Sequence, residues 1–269
     1  MQNVSLAINN ISFIGAGRAG QSLARALSKK GYTIGGLSCK SLKEAQKAVA
    51  FLGKGTAYEA NEEAVEDSKI VFITTPDDVI SNVVNELKEK ELNWQGRVVF
   101  HCSGVLSSEL LLPLKRKGAS VASLHPLQSL ASPGNAEKAL RGIYFSLEGD
   151  AEAYKVGEVI VKKLGSKVLR IRPETKIFYH AAATMASNYL TTLLNVSGSI
   201  MSRSGVSHKH AESALITLMK GTLANAEKLG IHQSLTGPIF RGDEKTILLH
   251  IKALREIDPD IEKLYTLLG

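Results

Sequence analysis

Three groups of residues in this sequence have the types and spacing to do chemistry. The first is Gly15-Ala16-Gly17-Arg18-Ala19-Gly20, a G-x-G-x-x-G run. It follows the apolar stretch Ile11-Ser12-Phe13-Ile14 and leads into Gln21 to Lys30, which carries apolar residues at helical spacing. A strand, a glycine turn and a helix in that order make a dinucleotide cradle: Gly15 permits the turn, Gly17 lets the backbone approach a pyrophosphate, and Gly20 lets the helix pack on the strand. The free N–H groups and positive dipole end of the helix then face the phosphates. A glycine-rich turn with no ligand is the competing reading. The second group centres on His125, in Ser123-Leu124-His125-Pro126-Leu127-Gln128. It directly follows an apolar run, so in a parallel sheet it lies at the same carboxyl edge as the glycine loop, with Ser103 and Gly104 nearby. The third is Lys176 and His180, four residues apart and hence on one face of a helix. Lysine and histidine suit proton transfer during carbonyl or imine reduction, provided burial brings the lysine toward neutrality. Ser187 returns to nearly the angle of Lys176, whereas Asn188 stands about 120° away on an ideal helix. The structural alternatives are a loop-holding His125, a surface Lys176 and a buried, hydrogen-bonded His180.

The second strand's end selects the cofactor. An NAD enzyme carries an acid there for the ribose hydroxyls, but Leu37-Ser38-Cys39-Lys40-Ser41 has none. Ser38, Lys40 and Ser41, with Arg18 from the loop, suit a 2′-phosphate, so NADP is preferred to NAD. Lys40 as an ordinary surface lysine is the alternative. Thr74-Thr75-Pro76 ends a central strand, which places Thr75 and Pro76 beside the cofactor, while Asp77 and Asp78 read as the cap of the next helix. His101 and Cys102, closer to their strand, read as structural.

The elements that must position these residues alternate along the chain. Strands are expected at Ile11–Ile14, Tyr32–Leu37, Ile70–Thr74, Arg97–His101, Ser120–Leu124, Gly142–Leu147 and Lys167–Ile171. Helices are expected at Gln21–Lys30, Ser41–Leu52, Ser107–Lys117 and Ala151–Leu164. That alternation implies an α/β domain with a doubly wound, mainly parallel Rossmann-type sheet over residues 1–172. From Pro173 onward only helices are expected: one from Glu174 to about Arg203, then His208–Leu229 and Glu244–Ile257. Residues 173–269 therefore form an all-helical domain. Leu235 to Asp243 is dense in turn formers, and Asp243 is placed to cap the helix after it.

Composition narrows the partners. The chain has 269 residues, 44% hydrophobic and 22% charged, which argues against disorder. No apolar run is long enough to span a membrane, and Met1 to Asn10 lacks the pattern of a signal peptide. Two cysteines, Cys39 and Cys102, make neither a disulfide framework nor a zinc site, so a reducing cytoplasm and no metal are expected. Net charge is +7, but the basic residues are scattered, which suits a small anionic ligand better than nucleic acid.

The glycine loop, Thr75-Pro76, His125-Pro126-Leu127-Gln128, Tyr179-His180-Ala181-Ala182-Ala183 with Ser187-Asn188, and Thr236-Gly237-Pro238 with Arg241-Gly242-Asp243 together mark a resemblance. Over nearly its whole length the chain resembles bacterial Rossmann-domain NADP oxidoreductases with a C-terminal helical domain of unknown function. It is more distantly similar to 6-phosphogluconate and β-hydroxyacid dehydrogenases, pyrroline-carboxylate reductase and deazaflavin-dependent NADP reductase. The resemblance implies a helical substrate domain that dimerises and closes over the nicotinamide. Lys176 stands where the hydroxyacid dehydrogenases carry a catalytic lysine, and His180 stands where they carry an asparagine. The expectation is a homodimeric NADP-dependent oxidoreductase acting on a small carbonyl or imine between the domains, with His125, Lys176 or His180 supplying the proton. Two alternatives stand beside it: a non-catalytic NADP-binding sensor or scaffold, and an NADP reductase with a deazaflavin coenzyme as co-substrate.

Overall fold

The computed structural model describes residues 9–269, so most of Met1 to Asn10, where no signal peptide is expected, lies outside them. The chain divides into two compact units, one ending at Thr184 and the other Met185–Gly269. In the first, β1 (Asn10–Ile14), α1 (Arg18–Lys29), β2 (Thr33–Ser38), α2 (Leu42–Leu52), β3 (Thr56–Tyr58), α3 (Asn61–Val65), β4 (Ile70–Ile73), α4 (Asp77–Glu89) and β5 (Val98–His101) follow in order. A 3-10 turn at Ser108–Leu111, α5 (Leu112–Lys115), β6 (Ser120–Pro126), α6 (Ala136–Ala139), β7 (Tyr144–Gly149), α7 (Ala151–Leu164), β8 (Lys167–Arg170) and α8 (Lys176–Thr184) complete it. The short β3 and α3 were not expected. Thr56–Tyr58 is too short and too polar to stand out as a strand.

All eight strands join one sheet in the order β3-β2-β1-β4-β5-β6-β7-β8. The first six are parallel, and the order in which strands are added reverses between β1 and β4, which is the switch point where doubly wound sheets bind ligands. β7 pairs antiparallel with β6, and β8 follows β7 in parallel. One face packs Phe13, Phe72, Phe100, Leu124 and Leu147 beneath α1 and α7, with the three phenylalanine rings stacked at 5.2 and 5.1 Å. The other packs Val71, Ile73, Val99 and Val121 beneath α4 and α5. On that second face the sheet turns polar toward β7. His101 pairs with Ser123, Ser123 with Glu148, and His125 with Ser146. Cross-strand partners share a face, so these side chains form a polar patch in an otherwise apolar sheet.

The second unit begins with a π turn at Met185–Tyr189, then α9 (Leu190–Ser202), α10 (His208–Leu229), α11 (Ile231–Ser234), α12 (Gly237–Arg241), α13 (Glu244–Ile257) and α14 (Pro259–Leu268). The single helix expected over Glu174 to Arg203 is thus a 3-10 turn at Pro173–Thr175, α8, the π turn and α9 in succession. Ser187 and Asn188 fall in the π turn and are exposed. Residues 237–241, expected as loop, make one short helix, and Asp243 caps α13 by accepting from the Thr246 amide at 3.2 Å. Among the described residues no helix is long and apolar enough to cross a membrane.

Candidate active site

The glycine loop closes β1 onto its neighbours. Gly15 adopts φ +84°, and a Cβ there would stand 2.6 Å from the Thr75 amide nitrogen. Its N–H donates to the Ser38 carbonyl at 2.9 Å, tying the turn to β2. A Cβ on Gly20 would come within 2.5 Å of Thr74 Oγ1, a hydroxyl already donating to the Gly15 carbonyl at 2.7 Å. Gly17 differs: the nearest atom to a Cβ there is the Gly15 carbonyl at 3.9 Å, so nothing in the protein excludes a side chain. That open space lies at the start of α1, whose first turn has no acid and no capping side chain. Ala16 is buried against the core, Ala19 is half-buried and Arg18 points to solvent.

A groove of about 640 Å³ runs from this loop over Thr74, Thr75, Pro76 and Val79. Its far end is bordered by Cys39, Lys40, Glu44, Lys47, Asn61 and Glu86. Thr75 Oγ1 is buried without a hydrogen-bond partner, an orphaned polar group of the kind a ligand satisfies. The open cradle, the orphaned hydroxyl and the helix start all fit a dinucleotide. Lys40 is 81% exposed and lies 3.3 Å from Glu44, so a phosphate there would compete with a surface carboxylate. Ser41 caps α2 through the Glu44 amide. The Ser38 hydroxyl is buried and donates to Asn61 Oδ1 at 2.7 Å, so that of Ser38, Lys40 and Ser41 only the last two are open to solvent. Asn61 also donates to Glu86 at 3.0 Å. Neither residue stood out in the sequence, because nothing local links positions 25 apart.

The polar patch is covered by the first turns of α8. His125, at the carboxyl end of β6, meets the Tyr179 hydroxyl through Nδ1 at 2.8 Å, with the two rings edge-to-face. The His180 ring centroid is 6.3 Å from that of His125. Gly104 lies against both rings: a Cβ there would stand 2.5 Å from His180 Cδ2 and 3.0 Å from His125 Nε2. Burial, then the Lys176 ammonium and His180, push His125 down to about 4, so its ring is neutral at pH 7. Burial raises Tyr179, which stays protonated. His101, fully buried, is pushed down to about 3 by burial and Lys176, and Cys102 beside it is pushed up to about 12 by burial.

Lys176 is 1% exposed, beneath this surface rather than on it. Its ammonium donates to the Ser103 carbonyl at 2.8 Å, to the Leu106 carbonyl and to the Ser123 hydroxyl, and Glu148 Oε1 lies 3.6 Å away. Burial pushes it down to about 8, with Glu148 opposing. Ser103 is also turned inward, its hydroxyl accepting from the amides of Val105 and Leu106, the local bonding that short hydroxyl side chains favour in turns. The structure therefore brings His125 and His180 together with Tyr179, and sets Lys176 behind them. Tyr179 has a sequence signal in its three-residue spacing from Lys176. Glu148 has another: it is the lone acid in a strand of buried residues, Phe145 to Glu148.

A Rossmann-like domain family matches residues 2–126, and a domain of unknown function, DUF2520, matches residues 143–269. No curated protein matches the chain. Among solved structures, protein TM1727 from Thermotoga maritima is 30% identical with a TM-score of 0.73, each chain covered to 96%. BF3122 from Bacteroides fragilis, described as a candidate NADP oxidoreductase, is 20% identical with a TM-score of 0.76, covering 97% of this chain and 96% of that one. A pyrroline carboxylate reductase from Plasmodium falciparum with NADP bound is 13% identical with a TM-score of 0.63, covering 96% of this chain and 95% of that one. At those lower identities the likeness is one of fold.

Proposed function

This chain belongs to the family of TM1727 from Thermotoga maritima and carries a Rossmann-like domain followed by a domain of unknown function; from that premise we propose that it is an NADP-dependent oxidoreductase acting on a small carbonyl or imine. The observation that carries this reading is the pairing of an open cradle over Gly17 with a neutral His125–Tyr179 pair at the same sheet edge. NADPH, when bound, supplies the hydride. The α1 amides hold the pyrophosphate, Thr75 offers its free hydroxyl, and Lys40 and Ser41 favour the 2′-phosphate. In the tautomer where Tyr179 donates to His125 Nδ1, the imidazole keeps its proton on Nε2, on the side of Gly104. That N–H is placed to hydrogen-bond the oxygen or nitrogen of the substrate. As its proton passes over, Nδ1 takes up the Tyr179 proton, so that a phenolate and not an imidazolate is left to be re-protonated from solvent. The His180 ring stands beside that of His125. The protein's contribution is orientation and proton delivery.

The non-catalytic alternative calls for exposed Lys176 and His180, whereas Lys176 is buried and His180 adjoins His125. A second groove of this unit, about 400 Å³, opens beside Val121, Asp150 and Arg170, along the amino-terminal half of β6. Residues 173–269 serve as substrate and dimerisation domain in a cytoplasmic homodimer. In support, Leu218, Leu223, Ile231, Leu248, Leu249 and Leu267 are each more than half exposed, while Cys39 and Cys102 are free thiols. The reading is tested by following loss of reduced nicotinamide with a panel of small aldehydes, ketones and cyclic imines. His125→Ala is expected to lower turnover about 10²-fold while NADPH binding is unchanged. NADPH binding with no turnover in any substrate class favours the non-catalytic module.

A further inference from the structure

We propose that the buried Lys176–Glu148 pair is the positioning device of this site and not its proton donor: it clamps the Ser103–Ser108 loop and the start of α8 onto β6 and β7, and so holds Gly104 against His125 and His180. The inference rests on the proposed reductase only for what the site does. The clamp itself is geometry. Glu148, on β7, accepts from the Ser108 amide at 2.8 Å and the Ser108 hydroxyl at 2.6 Å. Lys176, 3.6 Å from that carboxylate, donates to the carbonyls of Ser103 and Leu106, which flank Gly104, and to Ser123 on β6. All three N–H groups of the ammonium are engaged, so none is left for a substrate.

A buried ion pair is a weak source of stability, since desolvation consumes most of its attraction. Its distinguishing property is that it fixes several segments in one register through directional bonds. Here those segments carry the reacting groups: Tyr179 and His180 sit one turn beyond Lys176 on α8, and Gly104 sits between the two carbonyls it binds. The ammonium is also one of the charges that keep His125 neutral, together with His180. The titratable groups around that ring are Lys176, Tyr179 and His180 from α8, His101 from β5, and Glu148 from β7.

The test uses the full-length double variant Lys176→Met/Glu148→Gln, which removes both charges at nearly constant side-chain length. Titration of the His125 ring by NMR is expected to show its midpoint raised from about 4, since the Lys176 ammonium is, after burial, the leading cause that holds it down. Turnover at saturating substrate is expected to fall about tenfold with KM within about threefold, and NADPH affinity is expected to hold, because the groove lies elsewhere. An unchanged His125 midpoint or unchanged turnover overturns the proposal. In the native protein, where folding of a variant is not in question, Lys176 should resist an amine-selective acetylating reagent with and without NADPH. Modification at the rate of exposed lysines overturns the clamp. Absence of NADPH binding in the native protein counts against the reductase reading alone, and the His125 titration still decides this one.

Discussion

His101 and His125 stand on adjacent strands and the same sheet face, and both are neutral at pH 7 because burial beside the Lys176 ammonium disfavours a second positive charge. The sign of the consequence follows from linkage. An unfolded histidine binds its proton near pH 6.5, whereas native His101 does so only near 3, so the unfolded chain takes up protons the native state refuses. Stability therefore falls as pH drops from 6.5 toward 3. For His101, which is fully buried, the loss is on the order of 4 kcal/mol by pH 3. Chemical denaturation of His101→Gln across this window should show a shallower decline than the native protein, and parallel curves would mean that His101 is not the proton-coupled group. The place of His125 at the end of β6 was legible in the sequence because Pro126 and the preceding apolar run put it there. The burial of Lys176 was not, since its three acceptors and its counter-charge come from positions 103, 106, 123 and 148.

At the scale of elements, the glycine loop makes a sharp distinction among residues of one type. Gly15→Ala strains a backbone at φ +84° and meets Thr75, so it should lower stability by about 1–3 kcal/mol and abolish NADPH binding. Gly17→Ala meets nothing in the protein, so its melting temperature should match the native one while NADPH affinity falls at least about tenfold. Equal affinity in Gly17→Ala would remove the pyrophosphate from that space. Most of the sheet could be read from the sequence, since continuous apolar runs such as Ile70–Ile73 mark strands buried on both faces. The reversal of β7 could not: Phe145 and Leu147 fill the core equally well in either direction, and the turn back is set by pairing with β6. Nor could the π turn at Met185–Tyr189 be foreseen, because Met185-Ala186-Ser187-Asn188-Tyr189 contains no proline or glycine to mark an interruption.

For the whole molecule, the two units differ in how they are stabilised. The first has two large cores, whereas in Met185–Gly269 the buried hydrophobic residues are Ala211, Leu215 and Leu254. Helices with so little enclosed apolar surface need a further partner for their faces, and the proposed partner is a second copy of the chain. Sedimentation should give twice the chain mass at micromolar concentration. Replacing Leu248 and Leu249 with Glu should yield monomers, and a native protein that sediments as a monomer would contradict the dimer. The central claim, that the glycine cradle and the Lys40–Ser41 end serve NADP, is tested most directly by calorimetric titration of the purified protein with NADPH and with NADH. The account predicts tight binding of NADPH, weaker binding of NADH, and a preference that shrinks in Lys40→Ala. Equal affinity for the two, or binding of neither, would contradict it.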